Sequence, residues 1–185
     1  MAPPVGLTST SYVVLGLVAT MQPVTSYDMK RRVALSIGNF WPFPHSQLYA
    51  EPARLAAAGL LDETVEAGGR RRRHYTITAA GKRGLQRWLA DPVTEHTEVR
   101  DLALLKLFFG SQSNAAQRRA LAEQQVRMHQ ERLDGYEAAR QDHPGFNDEW
   151  GLHTLEMGKR FERAMVAFWR ELAPDDVDGL EADGG

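Results

Sequence analysis

Between Leu60 and Gly81 the sequence reads LLDETVEAGGRRRRHYTITAAG, two strand-like runs that meet at Gly68-Gly69, and this stretch restricts the fold more than any other. Tyr75 and Ile77 alternate into a core at the period of a half-buried strand. A two-residue Gly-Gly turn would set Leu61 opposite Thr76, whereas a loop of three or five sets Leu61 opposite Ile77 and Val65 opposite Arg73. The odd loop keeps the apolar face intact, because a one-residue slip turns every side chain over. Arg70, Arg71, Arg72 and Arg73 then stand at the tip and the start of the returning strand, projecting from the body like a wing. The plain alternative is a solvated charge run.

Three helical segments precede this hairpin. STSYVVLGLVATM is apolar on nearly every side, so it reads as a buried helix with Ser9 or Ser11 as its cap. In PVTSYDMKRRVALSIG, Thr25 and Asp28 stand three apart as in a capping box, and Gly38 is a stop. SQLYAEPARLAAAGLL begins with Ser46 as a cap and sets Leu48, Pro52, Leu55 and Gly59 along one face. Its outer face carries Gln47, Ala50, Glu51 and Arg54, a stripe of short and polar side chains of the kind that enters a major groove. An ordinary amphipathic helix would look similar, and Pro52 removes one backbone donor from it.

Charge separates the chain into two parts. Residues 1–90 hold 11 Lys and Arg against 5 Asp and Glu, a surplus of six, while the other 95 residues hold 11 against 19, a deficit of eight. The formal net charge of -2 conceals this division. Such asymmetry suits an N-terminal part that meets a polyanion.

Three helices followed by a basic hairpin form a winged helix-turn-helix, and the residues here resemble those of the PadR-type transcriptional regulators. The resemblance rests on FWPFPHSQLYAEPARLAAAGLL and GGRRRRHYTITAAGKRGLQRWL, and on RDLALLKLFFG, which is similar to the opening of the long helical C-terminal region in one branch of that family. It spans residues 8–172, with one departure: Tyr49-Ala50-Glu51-Pro52 stands where the family has Tyr followed by Pro and an aliphatic residue. The resemblance implies a DNA-binding regulator, a repressor relieved by a small aromatic or hydrophobic effector. Phe40, Trp41 and Phe43 would then wall an effector cavity between the halves, or simply pack behind the recognition helix.

The second part supports dimerisation on its own terms. Asn114 to Gln141 is strongly helix-forming, with Leu121, Met128, Leu133 and Tyr136 near one side, and Pro144 and Gly145 break it. A last helix from Glu149 to Leu172 places Leu155, Gly158, Phe161, Met165, Phe168 and Leu172 at steps of three and four, the stripe expected to pair with the preceding helix. Trp150, Met157, Ala164 and Trp169 lie off that stripe, so apolar surface remains for a second subunit. Leu155, Phe161, Met165, Phe168 and Trp169 are the candidate dimer residues, whichever face meets the partner.

The expected architecture is therefore mainly α with a small β-hairpin: a winged helix-turn-helix over residues 1–90, a helical dimerisation domain over 91–173 and an acidic, disordered tail over 174–185. Ser46, Gln47, Glu51 and Arg54 are expected to face the major groove of an inverted-repeat operator in double-stranded DNA, with Tyr49 beside the backbone and Arg70 to Arg73 on phosphates or a minor groove. A winged-helix module whose arginines bind an acidic protein is the competing reading. The six histidines form no His-x-x-x-His pair, there is no cysteine, and no Walker loop or nucleophile elbow occurs, so neither a metal, a cofactor nor an enzyme is expected. No run approaches about 18 apolar residues and no signal peptide opens the chain, which leads to the expectation of a cytoplasmic protein without membrane contact.

Overall fold

Thr8 opens the first helix, α1 (Ser9–Met21), because its extended backbone lets its hydroxyl accept from the Ser11 N–H while the Ser11 hydroxyl accepts from Thr8 N at 2.8 Å. The cap is thus Thr8, and Ser11 is its reciprocal partner, in place of the Ser9 or Ser11 cap that the sequence suggests. Val14, Leu15 and Val18 of α1 are fully buried, as its all-round apolar pattern requires. The computed structural model describes residues 6–34, 36–41, 44, 46–68, 71–142 and 149–173. Phe43, Arg70 and the tail 174–185 lie outside them.

Helix α2 (Ser26–Ala34) starts at the expected capping box: the Thr25 hydroxyl accepts from Asp28 N at 3.2 Å, and the Asp28 carboxylate accepts from Thr25 N at 3.2 Å. It ends at Ala34, short of Gly38, and a 3-10 turn follows at Ile37–Asn39. Helix α3 (Gln47–Ala57) buries Leu48, Pro52 and Leu55 as expected. Ser46 precedes it without capping it, because its own backbone is already helical (φ -57°, ψ -31°) and a capping side chain needs an extended one. Gly59 ends the helix in the left-handed region (φ 71°), which favours a residue without a Cβ.

Strands β1 (Leu61–Val65) and β2 (Arg73–Ile77) pair antiparallel with Leu61 opposite Ile77 and Val65 opposite Arg73, the register that keeps the apolar face whole. Glu66 N donates to Arg72 O at 3.0 Å, so the loop proper is the five residues 67–71. Val24, between α1 and α2, bridges Tyr75 through both backbone bonds, and the Gln22 side chain accepts from Ile77 N, which pins the hairpin to the helices. Helix α4 (Ala79–Ala90) is capped by the Thr78 hydroxyl and comes so close to Leu60 that a Cβ on Gly81 would lie 2.2 Å from the Leu60 carbonyl oxygen. Tyr12 and Trp88 stack at 4.7 Å, joining α4 to α1.

The chain parts into two units between His96 and Thr97. In the second, Asp101 caps α5 (Leu102–Phe108), a 3-10 turn at Gly110–Gln112 follows, and α6 (Ala115–Asp142) pairs with α7 (Glu149–Glu171). The pairs His129–Glu162 and Glu137–Lys159 run in opposite senses along the two helices, so the pairing is antiparallel. Ala103, Ala122 and Trp169 form the apolar centre. The face of α7 turned inward carries Lys159, Glu162, Val166 and Trp169, whereas Phe161, Phe168 and Leu172 of the stripe expected to face α6 are exposed, as is Met128 of α6. Val166 and Trp169 lie on that inward face, and Glu162 beside them, only 2% exposed, meets His129 at 2.5 Å and Arg132 at 3.5 Å, which offsets the cost of burying it at a position that apolar periodicity alone assigns to the surface.

Candidate nucleic-acid interface

The outer face of α3 presents Gln47, Tyr49, Ala50 and Arg54 to solvent, and Ser46 is exposed just before it. None of these side chains enters the core, so the amphipathic pattern leaves one polar face open. A shallow groove of about 350 Å³ runs beside it, lined by Thr8, Thr10, Gln47, Ala50 and Glu51. The Thr10 hydroxyl donates to Gln47 Oε1 at 2.7 Å across the groove.

Glu51 differs from expectation. Its side chain is only 13% exposed and turns toward α1, accepting from the Ser11 hydroxyl at 2.6 Å and from Arg54 Nη2 at 2.6 Å and Nε at 2.8 Å. Arg54 Nη2 also donates to Ser11 Oγ at 3.0 Å. The Arg54 hydrogen bond holds the Glu51 carboxyl below the ordinary carboxylate range, aided by the Ser11 hydroxyl and the Arg54 charge against the opposing effect of burial. Glu51 thus holds Arg54 against α1. Thr10 and Ser11 are functional candidates that the sequence marks only as helix-start residues, because their partners lie 37 and 43 positions away.

On the hairpin, Arg71 and Arg72 are exposed beyond the ladder, and Arg71 adopts a left-handed backbone (φ 48°) at the turn. Arg73 projects as expected but is paired: its Nη1 lies 2.9 Å from Glu63 Oε1, a diagonal neighbour on the same hairpin face. His74 and Glu66 pair at 3.0 Å on the other face, and that hydrogen bond draws the Glu66 carboxyl below its usual range. The Arg73 side chain is 60% exposed and that of Glu63 22%, so water screens the pair on the arginine side. Arg70 lies outside the described residues.

Phe40 and Trp41 are 60% and 48% exposed beside the 3-10 turn. Phe43 lies outside the described residues. Among the residues assigned to the dimer interface, Phe161 and Phe168 are exposed, Leu155 and Met165 half-buried, and Trp169 fully enclosed within its own unit. Trp169 is therefore core, its indole Nε1 without a hydrogen-bond partner among the described residues. Trp150 and Met157 of α7 are exposed, and α5 adds Leu102, Leu105 and Phe108, whose apolar run RDLALLKLFFG exceeds what one helix face can bury. Among the described residues no group of three or more His, Asp or Glu is placed to hold a metal, and no helix is long and apolar enough to cross a membrane.

Two family profiles match the chain, the transcriptional regulator PadR-like family over residues 14–87 and the virulence activator alpha C-terminal family over residues 99–174. The negative transcriptional regulator PadR of Bacillus subtilis is 29% identical over 126 residues, covering 66% of this chain and 68% of its own. Its crystal structure in complex with operator DNA is similar with a TM-score of 0.78 at 23% identity, over 90% of this chain and 98% of that one. Its complex with p-coumaric acid gives 0.70 at 23% identity, over 88% and 95%. The Vibrio cholerae virulence activator AphA gives 0.65 at 27% identity, over 89% and 96%.

Proposed function

The chain belongs to the PadR-like family of transcriptional regulators, and from that premise we propose that it is a dimeric repressor of an inverted-repeat operator. As a member of that family it is a DNA-binding regulator and not an enzyme. The observation that carries the reading is the pairing, within one unit, of an open polar face on α3 with a basic hairpin whose Arg71, Arg72 and Arg73 are exposed at its tip and the start of its returning strand.

Base edges are read by Gln47 and Arg54 from the major groove, with Ser46 and Tyr49 at the helix start on the backbone. The wing arginines, Arg70 included, supply affinity through phosphates or a minor groove, where they carry no sequence information of their own. Repression is supported by the negative regulator of Bacillus subtilis among the relatives, and the site of action is the cytoplasm, where the DNA is. Domain boundaries near residues 90 and 173 separate reading from dimerisation, which uses the exposed apolar residues of α5 and α7. Relief comes from a planar aromatic acid such as the p-coumaric acid bound by Bacillus subtilis PadR, with Phe40, Trp41 and Phe43 as the aromatic contacts.

A mobility shift of the full chain on the inverted repeats upstream of its own gene, against scrambled duplexes, tests the reading. Preference for one repeat supports it. Equal binding to every duplex, or retention of an acidic protein with no DNA shift, overturns it.

A further inference from the structure

Ser11 is 0% exposed, yet it sits one helix away from the face that reads DNA. A serine hydroxyl has one proton to give and two lone pairs to fill. Here all three are used: it donates to Glu51 Oε1 at 2.6 Å and accepts from Thr8 N at 2.8 Å and from Arg54 Nη2 at 3.0 Å. Thr8 Oγ1 lies farther off at 3.2 Å, and the shorter bonds to Glu51 and Arg54 turn the hydroxyl toward α3.

Arg54 is constrained in turn. Its Nε and one Nη2 proton lie on the Glu51 carboxylate, and the other Nη2 proton lies on Ser11. Only Nη1 is without a hydrogen bond among the described residues. A bidentate contact to guanine O6 and N7 needs two adjacent N–H groups on one edge of the guanidinium, and both such edges include Nη2. While Ser11 and Glu51 hold Nη2, Arg54 can offer DNA a single nitrogen.

We propose that Ser11 is a positioning residue for base recognition: its buried hydroxyl, shared between Glu51 and Arg54, restricts Arg54 to one-nitrogen contact and so keeps the protein from demanding guanine at that base step. The inference rests on the reading of α3 as the DNA-reading helix. It assigns sequence preference to a residue that never touches DNA.

The test is selection of bound duplexes from a randomised library by the full chain, comparing the wild type with Ser11→Ala. The Ala variant releases the Nη1–Nη2 edge, and guanine is expected to be enriched about tenfold at one position of each half-site, the discrimination of one bidentate pair. Affinity for non-specific duplex and its salt dependence should stay unchanged, which a general loosening of the fold would not produce. Thermal melting verifies that the variant is folded; if Ser11→Ala melts early, Glu51→Ala, which removes both carboxylate acceptors and so releases the Nε–Nη2 edge of Arg54 while Ser11 keeps the other Nη2 proton, carries the test and should shift the same position toward guanine. Unchanged base preference in a folded variant, with a wild type that does select a sequence, overturns this inference alone. A wild type that selects no sequence overturns the DNA-reading assignment and this inference with it.

Discussion

His129 Nδ1 and Glu162 Oε2 face each other at 2.5 Å between α6 and α7, where Glu162 is almost wholly buried and the His129 side chain is 12% exposed. The pair links two helices through residues 33 positions apart. Tyr136, whose phenol is raised above its ordinary value first by burial and then by the Glu162 charge, borders the same cluster.

Replacing His129 with Ala should leave the Glu162 carboxyl with Arg132 at 3.5 Å as its remaining partner and lower the stability of the second unit by about 3 kcal/mol. Chemical denaturation of the full chain measures it. A double replacement of His129 and Glu162 by Leu should recover most of the deficit, since a buried pair is readily exchanged for apolar packing. A change below about 0.5 kcal/mol in the single variant would place the pair in the class of surface ion pairs.

Glu51 yields a pH dependence whose sign follows from its lowered carboxyl. A group with a depressed folded value stabilises the fold above its unfolded value, about 4.3 for Glu, and loses that contribution as the pH falls through the folded one. Wild type and Glu51→Gln should therefore differ in melting temperature at neutral pH and converge as the solution is acidified below the ordinary carboxylate range. Parallel curves throughout would mean that the tie between α1 and α3 contributes nothing measurable.

The wing can be separated from the reading helix by salt. Replacing Arg71, Arg72 and Arg73 together with Ala should weaken binding to operator and unrelated DNA alike, and reduce the slope of log affinity on log salt by roughly 0.9 for each phosphate that the wing no longer neutralises. Gln47→Ala should instead cost about 1–3 kcal/mol on the operator alone. Glu63→Gln, by freeing Arg73, should strengthen binding to any duplex. A triple variant with an unchanged slope leaves the arginines as a solvated charge run.

Dimer formation and core packing are distinguishable on α7. Phe161→Glu with Phe168→Glu should shift the sedimentation of the full chain from dimer to monomer while each subunit stays folded, because both side chains are exposed in the single chain. Trp169→Ala should instead destabilise the unit itself by about 3–5 kcal/mol, the cost of a large core cavity. A two-fold dimer further requires half-site centres about 10 base pairs apart or a multiple of that spacing. An unaltered dimer in the double Glu variant moves the interface to α5 or the far part of α7.

Much of the local chemistry was legible in the sequence, though not the caps of α1 and α3, where Thr8 takes the place of Ser9 or Ser11 and Ser46 does not cap. The hairpin register followed from keeping Leu61 and Ile77 on one face, the start of α2 from Thr25 and Asp28, and the burial of α1 from its apolar residues on every side. Each of these is set by residues close along the chain, where periodicity and hydrogen-bonding capacity leave one arrangement. Only the tertiary structure decided that Glu51 turns to Arg54 and Ser11, that Arg73 pairs with Glu63, and that Trp169 turns inward while Phe161 and Phe168 turn out. On α7 the apolar residues fill more than one face, so hydrophobic periodicity selects none of them. The face that packs inward carries Val166 and Trp169, and it includes Glu162 because His129 and Arg132 of another helix meet its carboxylate, a pairing that exists only once distant segments are brought together.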